Sequence, residues 1–351
     1  MTDHLYVSLQ DDDRVLHFVI DPDSGELEAR EGIALDGGPA PLAVDPTRRH
    51  LYVGRRRGFL LSSLSIDPST GDLAMTGTVK LPSEPCYLST DHTGRFVLSA
   101  YYQAGHCAVH PIDESGAVGG EHIEWLATGA GAHCFQTDPS NQYAFLPHIA
   151  SGSGGLSALP GNPVPPNAIY QFRFDEQTGR LTPNDPRTVA PDGPDGPRHY
   201  CFHPTLGMVY VSNEQGSSVT AYAFDTERGT LRPVQTLPTL PDGFSGRNAC
   251  SQIQLSPSGH FLYAPNRGHN SIASFVVDAA TGELSASGWA EAEAVPRAFS
   301  LDPGGGFLYA AGLATGNLVA YRVDDSAGTL TRFATYEVGA RPMWVLTTTL
   351  P

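Results

Sequence analysis

The chain is short of positive charge: 21 Lys and Arg stand against 37 Asp and Glu in 351 residues, a net charge of −16. Nucleic acid and anionic membrane both require a basic face, so neither is expected as a partner. No apolar run reaches the ~18 residues of a membrane span. The start, Met1-Thr2-Asp3-His4-Leu5-Tyr6, has no basic region, apolar stretch or cleavage site. The expectation is a soluble, cytoplasmic protein. Cysteine is scarce, and Cys86, Cys107, Cys134, Cys201 and Cys250 are odd in number without CxxC spacing. That weakens zinc-ribbon and redox readings. Cys134, Cys201 and Cys250 fall at nearly the same place in successive repeats, as small buried packing residues would.

Chemical signatures are also thin. Ser151-Gly152-Ser153-Gly154-Gly155 lacks the GK[ST] ending of a phosphate loop, and no serine lies in a GxSxG elbow. His199 and His203, like His106 and His110, are four residues apart on strands, a span of ~13 Å that cannot serve one ion. No cofactor and no metal site is expected.

What the chain has is turns and short strands. It carries 38 Gly and 29 Pro and no long helical period. An apolar triplet recurs as Leu5-Tyr6-Val7, Leu51-Tyr52-Val53, Phe96-Val97-Leu98, Tyr143-Ala144-Phe145, Val209-Tyr210-Val211, Leu262-Tyr263-Ala264 and Leu308-Tyr309-Ala310. Upstream of the later six stands a turn: Asp45-Pro46, Asp91-His92, Asp138-Pro139, His203-Pro204, Ser256-Pro257 or Asp302-Pro303. Downstream an alternating strand ends at a Gly turn, and a further strand follows. Four strands per repeat of about 46 residues predict an all-β, seven-bladed β-propeller of four-stranded antiparallel blades, a single domain over residues 1–351. The head begins at a second strand and the tail, Arg341-Pro342-Met343-Trp344-Val345-Leu346, reads as a first strand. The two termini are expected to share one blade and close the ring. Two intervals are long, one holding Ser151 to Pro166 and the other Asp242-Gly243-Phe244-Ser245-Gly246-Arg247. Both connections belong on the face where propellers bind ligands.

The mouth of the channel is where first strands begin and second strands end. Five residues before each turn stand Ala40, Cys86, His133, Arg198, Ser251, Arg297 and, in the tail, Met343. Four residues past the centre of each triplet stand Gln10, Arg56, Tyr101, His148, Glu214, Arg267 and Leu313. Positions that only support a repeat are filled alike; these are varied and polar. Arginines so gathered suit a small anionic or oxygen-rich molecule, because guanidinium is always charged and binds carboxylate or phosphate in pairs. His148 is the expected proton shuttle, since histidine titrates near neutrality. Glu214 among arginines is expected to stay ionised. Arg56, between Arg55 and Arg57, equally fits a surface ion pair, and inter-blade ion pairs are the plain alternative for the whole set.

Gly196-Pro197-Arg198-His199, Val211-Ser212-Asn213-Glu214 and Asn266-Arg267-Gly268-His269-Asn270-Ser271-Ile272-Ala273 resemble segments of the seven-bladed propeller lactonases, which include propeller-type 6-phosphogluconolactonases and carboxy-cis,cis-muconate lactonizing enzymes. The resemblance covers essentially the whole chain. It implies a metal-independent site of arginines, a histidine and a glutamate at the propeller mouth, falling here on His148, Arg198, Glu214 and Arg267. His148, Glu214 and Arg267 are the expected catalytic residues, with Arg198, Arg297, His133, Tyr101, His199 and Arg56 around the substrate. Hydrolysis of a sugar-acid lactone is the leading expectation. A muconate-type cycloisomerase and a non-catalytic binding propeller are the alternatives.

Overall fold

The structure is a computed structural model that describes residues 1–149 and 166–351. Seven four-stranded antiparallel sheets follow one another along the chain, each running from an inner to an outer strand. The closing blade joins the tail strand Pro342–Leu350 to the head strand Thr2–Leu9. Its pairing runs from Thr2 opposite Leu350 to Leu9 opposite Pro342. The ring is therefore shut by backbone hydrogen bonds between the ends of the chain, as the offset of head and tail predicts.

The strands read as they do because of what lies on either side of them. Second strands are sandwiched between neighbouring blades and are apolar on both faces: Met208–Asn213, Phe261–Asn266 and Phe307–Gly312 are buried at every position. Outer strands have one face in solvent, and Thr230–Pro238 alternates accordingly. The blades are pinned by a repeated contact. In five second strands a buried tyrosine donates its hydroxyl to the carbonyl of the turn glycine of the next blade: Tyr6 to Gly71 (2.7 Å), Tyr52 to Gly116 (3.1 Å), Tyr210 to Gly282 (2.8 Å), Tyr263 to Gly328 (2.9 Å) and Tyr309 to Gly25 (2.8 Å). Each of these glycines has a positive φ, and at Gly25 a Cβ would lie 2.3 Å from the Phe307 ring. Glycine is required there by conformation and by the close approach of the neighbouring blade. All five cysteines are free, and four are buried, in keeping with a packing role.

The first-to-second-strand turn sets the register of each blade. In the six blades with such a turn upstream, the turn residue's N–H bonds the carbonyl five residues on: Asp45 to His50, Asp91 to Phe96, Asp138 to Tyr143, His203 to Met208, Ser256 to Phe261 and Asp302 to Phe307. Phe96 and Tyr143 are thus equivalent to His50 and Met208. The residues matching Tyr52 and Tyr210 are Leu98 and Phe145, not Val97 and Ala144. The apolar triplets of these two blades are displaced by one residue relative to the turn, and a one-residue slip turns every side chain to the opposite face.

Candidate active site

That slip decides which side chains reach the mouth. Counted eleven residues past the turn residue, the rim positions are Arg56, Tyr102, Ile149, Glu214, Arg267 and Leu313. All six line a cavity of about 250 Å³ at the end of the channel, with His133, Cys86 and Arg297 from the first strands and with Gln103, Arg341 and Met343.

Two expected residues are consequently corrected. Tyr101 is fully buried, its ring edge-on to Trp125 and its hydroxyl 3.0 Å from Ser99 Oγ and 3.2 Å from His110 Nε2. It packs between blades, and Tyr102 takes the rim place. His148 is likewise fully buried and absent from the cavity wall. Its Nδ1 lies 3.0 Å from the Leu146 carbonyl, its Nε2 3.0 Å from Thr128 Oγ1, and its ring packs on Tyr170. Burial pushes its pKa down to about 4, against the raising effect of the Leu146 and Ala168 carbonyls, so it is a neutral structural imidazole near pH 7. The long insertion expected from Ser151 to Pro166 lies, all but Pro166, outside the described residues.

The other expected residues converge. Glu214, at the end of the second strand Met208–Asn213, places Oε2 2.7 Å from Arg198 Nε and 2.8 Å from Arg267 Nη2. The Arg198 contact is a close ion pair whose angle falls outside hydrogen-bond geometry, and Arg198 Nη1 has no hydrogen-bond partner although the side chain is 2 % exposed. Arg267 is held from behind, donating from Nη2 to the Cys250 carbonyl (2.7 Å) and from Nε to that of Ala249 (3.3 Å). Those carbonyls belong to the second long connection. Asn248 ties that connection to the rim, its Oδ1 accepting from Gly268 N (3.0 Å) and His269 N (3.1 Å). Arg297 forms no hydrogen bond or ion pair among the described residues. Arg56 pairs with Glu84, as the ion-pair reading expects, and it also lines the cavity. Arg55 and Arg57 turn to Asp36 and to Asp11 and Asp13 instead.

His133 and His199 form a buried pair, Nδ1 to Nε2 at 3.0 Å, so His199 supports His133 from below the cavity that His133 lines. Burial first, then the arginines nearby, depress both pKa values well below the usual histidine range. Burial alone would raise the Glu214 pKa, but Arg267, Arg198 and Arg297 outweigh it and hold the carboxyl below its ordinary value. Arg198 is lowered to about 10 by burial and by Arg267, against the pull of Glu214, and remains a cation at neutral pH. The site is thus a patch of excess positive charge in a strongly acidic protein. Among the described residues no cluster of three or more His, Cys, Asp or Glu is arranged to hold a metal ion.

A family profile described as "Lactonase, 7-bladed beta-propeller" matches residues 4–347. The chain belongs to that family. It is 34% identical over 321 residues to the 6-phosphogluconolactonase of Pectobacterium atrosepticum, covering 92% of this chain and 91% of the relative. It is 32% identical over 345 residues, 98% of each chain, to the 6-phosphogluconolactonase of Yersinia pestis. Among solved structures, the periplasmic gluconolactonase of Pseudomonas aeruginosa superposes with a TM-score of 0.88 at 26% identity over the whole of both chains. Of the residues expected from the resemblance, Arg198, Glu214 and Arg267 lie together through ion pairs, and the histidine that lines the cavity is His133. Counting from the turn rather than from the apolar triplet would have found Tyr102 and Ile149 and removed Tyr101 and His148. Arg341 was not signalled, because it sits in the single connection that leads into the ring-closing strand.

Proposed function

We propose that this lactonase hydrolyses a sugar-acid lactone, a 6-phosphogluconolactone-like or related aldonolactone, to the open-chain acid. The observation that carries the reading is the convergence of Arg198, Arg267, Arg297 and Arg56 at the mouth with Glu214, the one carboxylate that lines the cavity among the described residues. The cavity, at about 250 Å³, lies below the range of pockets built for large ligands and suits one small sugar-derived molecule. Guanidinium donors stabilise the negative charge that grows on the lactone carbonyl oxygen as water adds. Their positions are set in advance by Glu214 and by the Ala249 and Cys250 carbonyls, so little reorganisation accompanies the reaction. Glu214, ionised, faces the attacking water and accepts its proton. Glu214, now protonated, gives that proton to the ring oxygen as it leaves, and His133, a neutral imidazole on the cavity wall, serves as a hydrogen-bond partner and not as an acid. The new carbon–oxygen bond comes from water, the ring ester bond breaks, the ring oxygen ends as a hydroxyl, and the acid product ionises with release of one proton.

That released proton provides the test. A pH-indicator screen of aldonolactones, phosphorylated and unphosphorylated, is expected to show accelerated opening of at least one. The Arg267→Ala protein is expected to be slower by about 10²-fold or more. Opening of every lactone at its uncatalysed rate sinks the reading.

A further inference from the structure

Beneath the mouth cavity, on the channel axis, lies a second and much smaller cavity of about 10 Å³. That is room for about one water molecule or one monatomic ion. A carboxylate or phosphate group does not fit. Its wall is one-sided in chemistry: the polar side chains are Arg56, Arg198, Arg297, His133, His199 and Gln252, and no carboxylate is among them. Glu214 faces the mouth cavity instead.

Three guanidinium groups meet there with donors to spare. Arg198 Nη1 and Arg56 Nε are both buried and lack a hydrogen-bond partner. Arg297 has neither a hydrogen bond nor an ion pair among the described residues. Gln252 already spends its Oε1 on the Phe299 N–H (2.9 Å). Buried donors are normally satisfied, and each orphan costs the desolvation of its group. Like charges held together in a poorly solvated channel add repulsion. Arg198 and Arg56 each keep one carboxylate partner, Glu214 and Glu84, so water would satisfy some of these donors but leave the charge of Arg297 uncompensated. A halide ion does both, since it accepts from several donors at once.

We propose that the channel of this propeller binds one buried monatomic anion, chloride in a chloride-containing medium, held by Arg198, Arg297 and Arg56 beneath the substrate cavity. The ion compensates the repulsion among the arginines and keeps the guanidinium groups aimed at the mouth. Burial and mutual repulsion lower the Arg198 and Arg297 pKa values, a destabilisation of the cations that an anion beside them relieves. The inference is independent of which lactone is the substrate, and its test uses no substrate.

Bromide replaces chloride and scatters anomalously. Crystals of the full chain soaked in sodium bromide are expected to show an anomalous peak within hydrogen-bonding reach of Arg198 Nη1. In solution, thermal unfolding is followed as sodium chloride or bromide is added at constant ionic strength, over a background of saturating sulfate. Sulfate fits the mouth cavity but not the small one. Halide is expected to raise Tm further, by about 3–4 °C at one hundred times its dissociation constant. Ala40→Val fills space at the wall of the small cavity and leaves the mouth lining untouched, and it is expected to abolish the halide response. If that variant does not fold, the bromide map on the unaltered protein decides. No peak in the small cavity, or a halide effect that sulfate eliminates, overturns the proposal. The second outcome would place the ion at the mouth.

Discussion

The two ends of the first strands follow opposite rules. At the turn end, polar groups are saturated by the chain itself. Asp91 accepts from Arg95 N and Phe96 N with one oxygen (both 2.9 Å) and from Thr93 N (3.0 Å), Thr93 Oγ1 (2.5 Å) and Asn141 Nδ2 (3.0 Å) with the other. Asp138 repeats the arrangement with Gln142, Tyr143 and Ser140. At the mouth end the accounts do not close: among the described residues Arg198 Nη1 and Arg56 Nε lack a hydrogen-bond partner and Arg297 has neither a hydrogen bond nor an ion pair. Both ends are buried polar structure. The turn spends its polarity on fixing register, whereas the mouth keeps donors unspent for a ligand.

The largest effect is expected at Glu214, where the two rules meet. Glu214→Ala leaves Arg198 and Arg267 uncompensated and is expected to cost about 3–5 kcal/mol of stability together with most of the activity. Denaturant unfolding and kcat/KM check the two losses. The stability part has a pH signature. A folded-state pKa held below the ordinary 4.5 contributes stability that is present above that value and lost as pH falls through the folded value. The gap between the unaltered protein and Glu214→Gln is therefore expected to be open at pH 7 and to close below about pH 4.5. A gap independent of pH breaks the assignment of Glu214 as an ionised partner.

A paired experiment separates the ends. In halide-free buffer Arg297→Ala is expected to lower kcat/KM by about 10²-fold while leaving Tm unchanged or higher, because a half-buried cation with no ion-pair partner among the described residues disappears. Asp91→Ala is expected to do the reverse, costing about 1–3 kcal/mol through orphaned backbone donors with kcat/KM nearly unaltered. If both variants lose stability and activity together, the division between spent and unspent polarity is wrong. The smallest effect on catalysis is expected from His148→Phe. That change removes the bonds to Leu146 and Thr128, lowers Tm, and leaves kcat/KM within about threefold if the histidine only packs. A catalytic collapse in a folded His148→Phe protein would return it to the reaction.

Much of this was legible in the residues alone, and the exceptions share a cause. Arg198, Arg297 and His133 were found by counting back from turn residues, and that count is rigid because the turn's own hydrogen bonds enforce it. Glu214 and Arg267 were found by counting from an apolar triplet whose central tyrosine marks the true register. In the third and fourth blades Leu98 and Phe145 occupy the tyrosine's place, and neither carries the hydroxyl that latches onto the next blade. There the triplet was read one residue early, so Tyr101 and His148 stood in for Tyr102 and Ile149. Apolar character does not distinguish adjacent positions in a strand buried on both faces.

By itself, then, the sequence determined the blade count, the closure of the ring by its two ends, and most of the chemical groups around the rim, since each follows from local periodicity and turn chemistry. Only the tertiary structure decided which rim groups share a space and which are already satisfied. Arg198 and Glu214 are neighbours along one blade, but Arg267, Arg297, His133 and Arg56 come from four others. Their meeting, and the donors it leaves over, depends on long-range packing that no local pattern encodes.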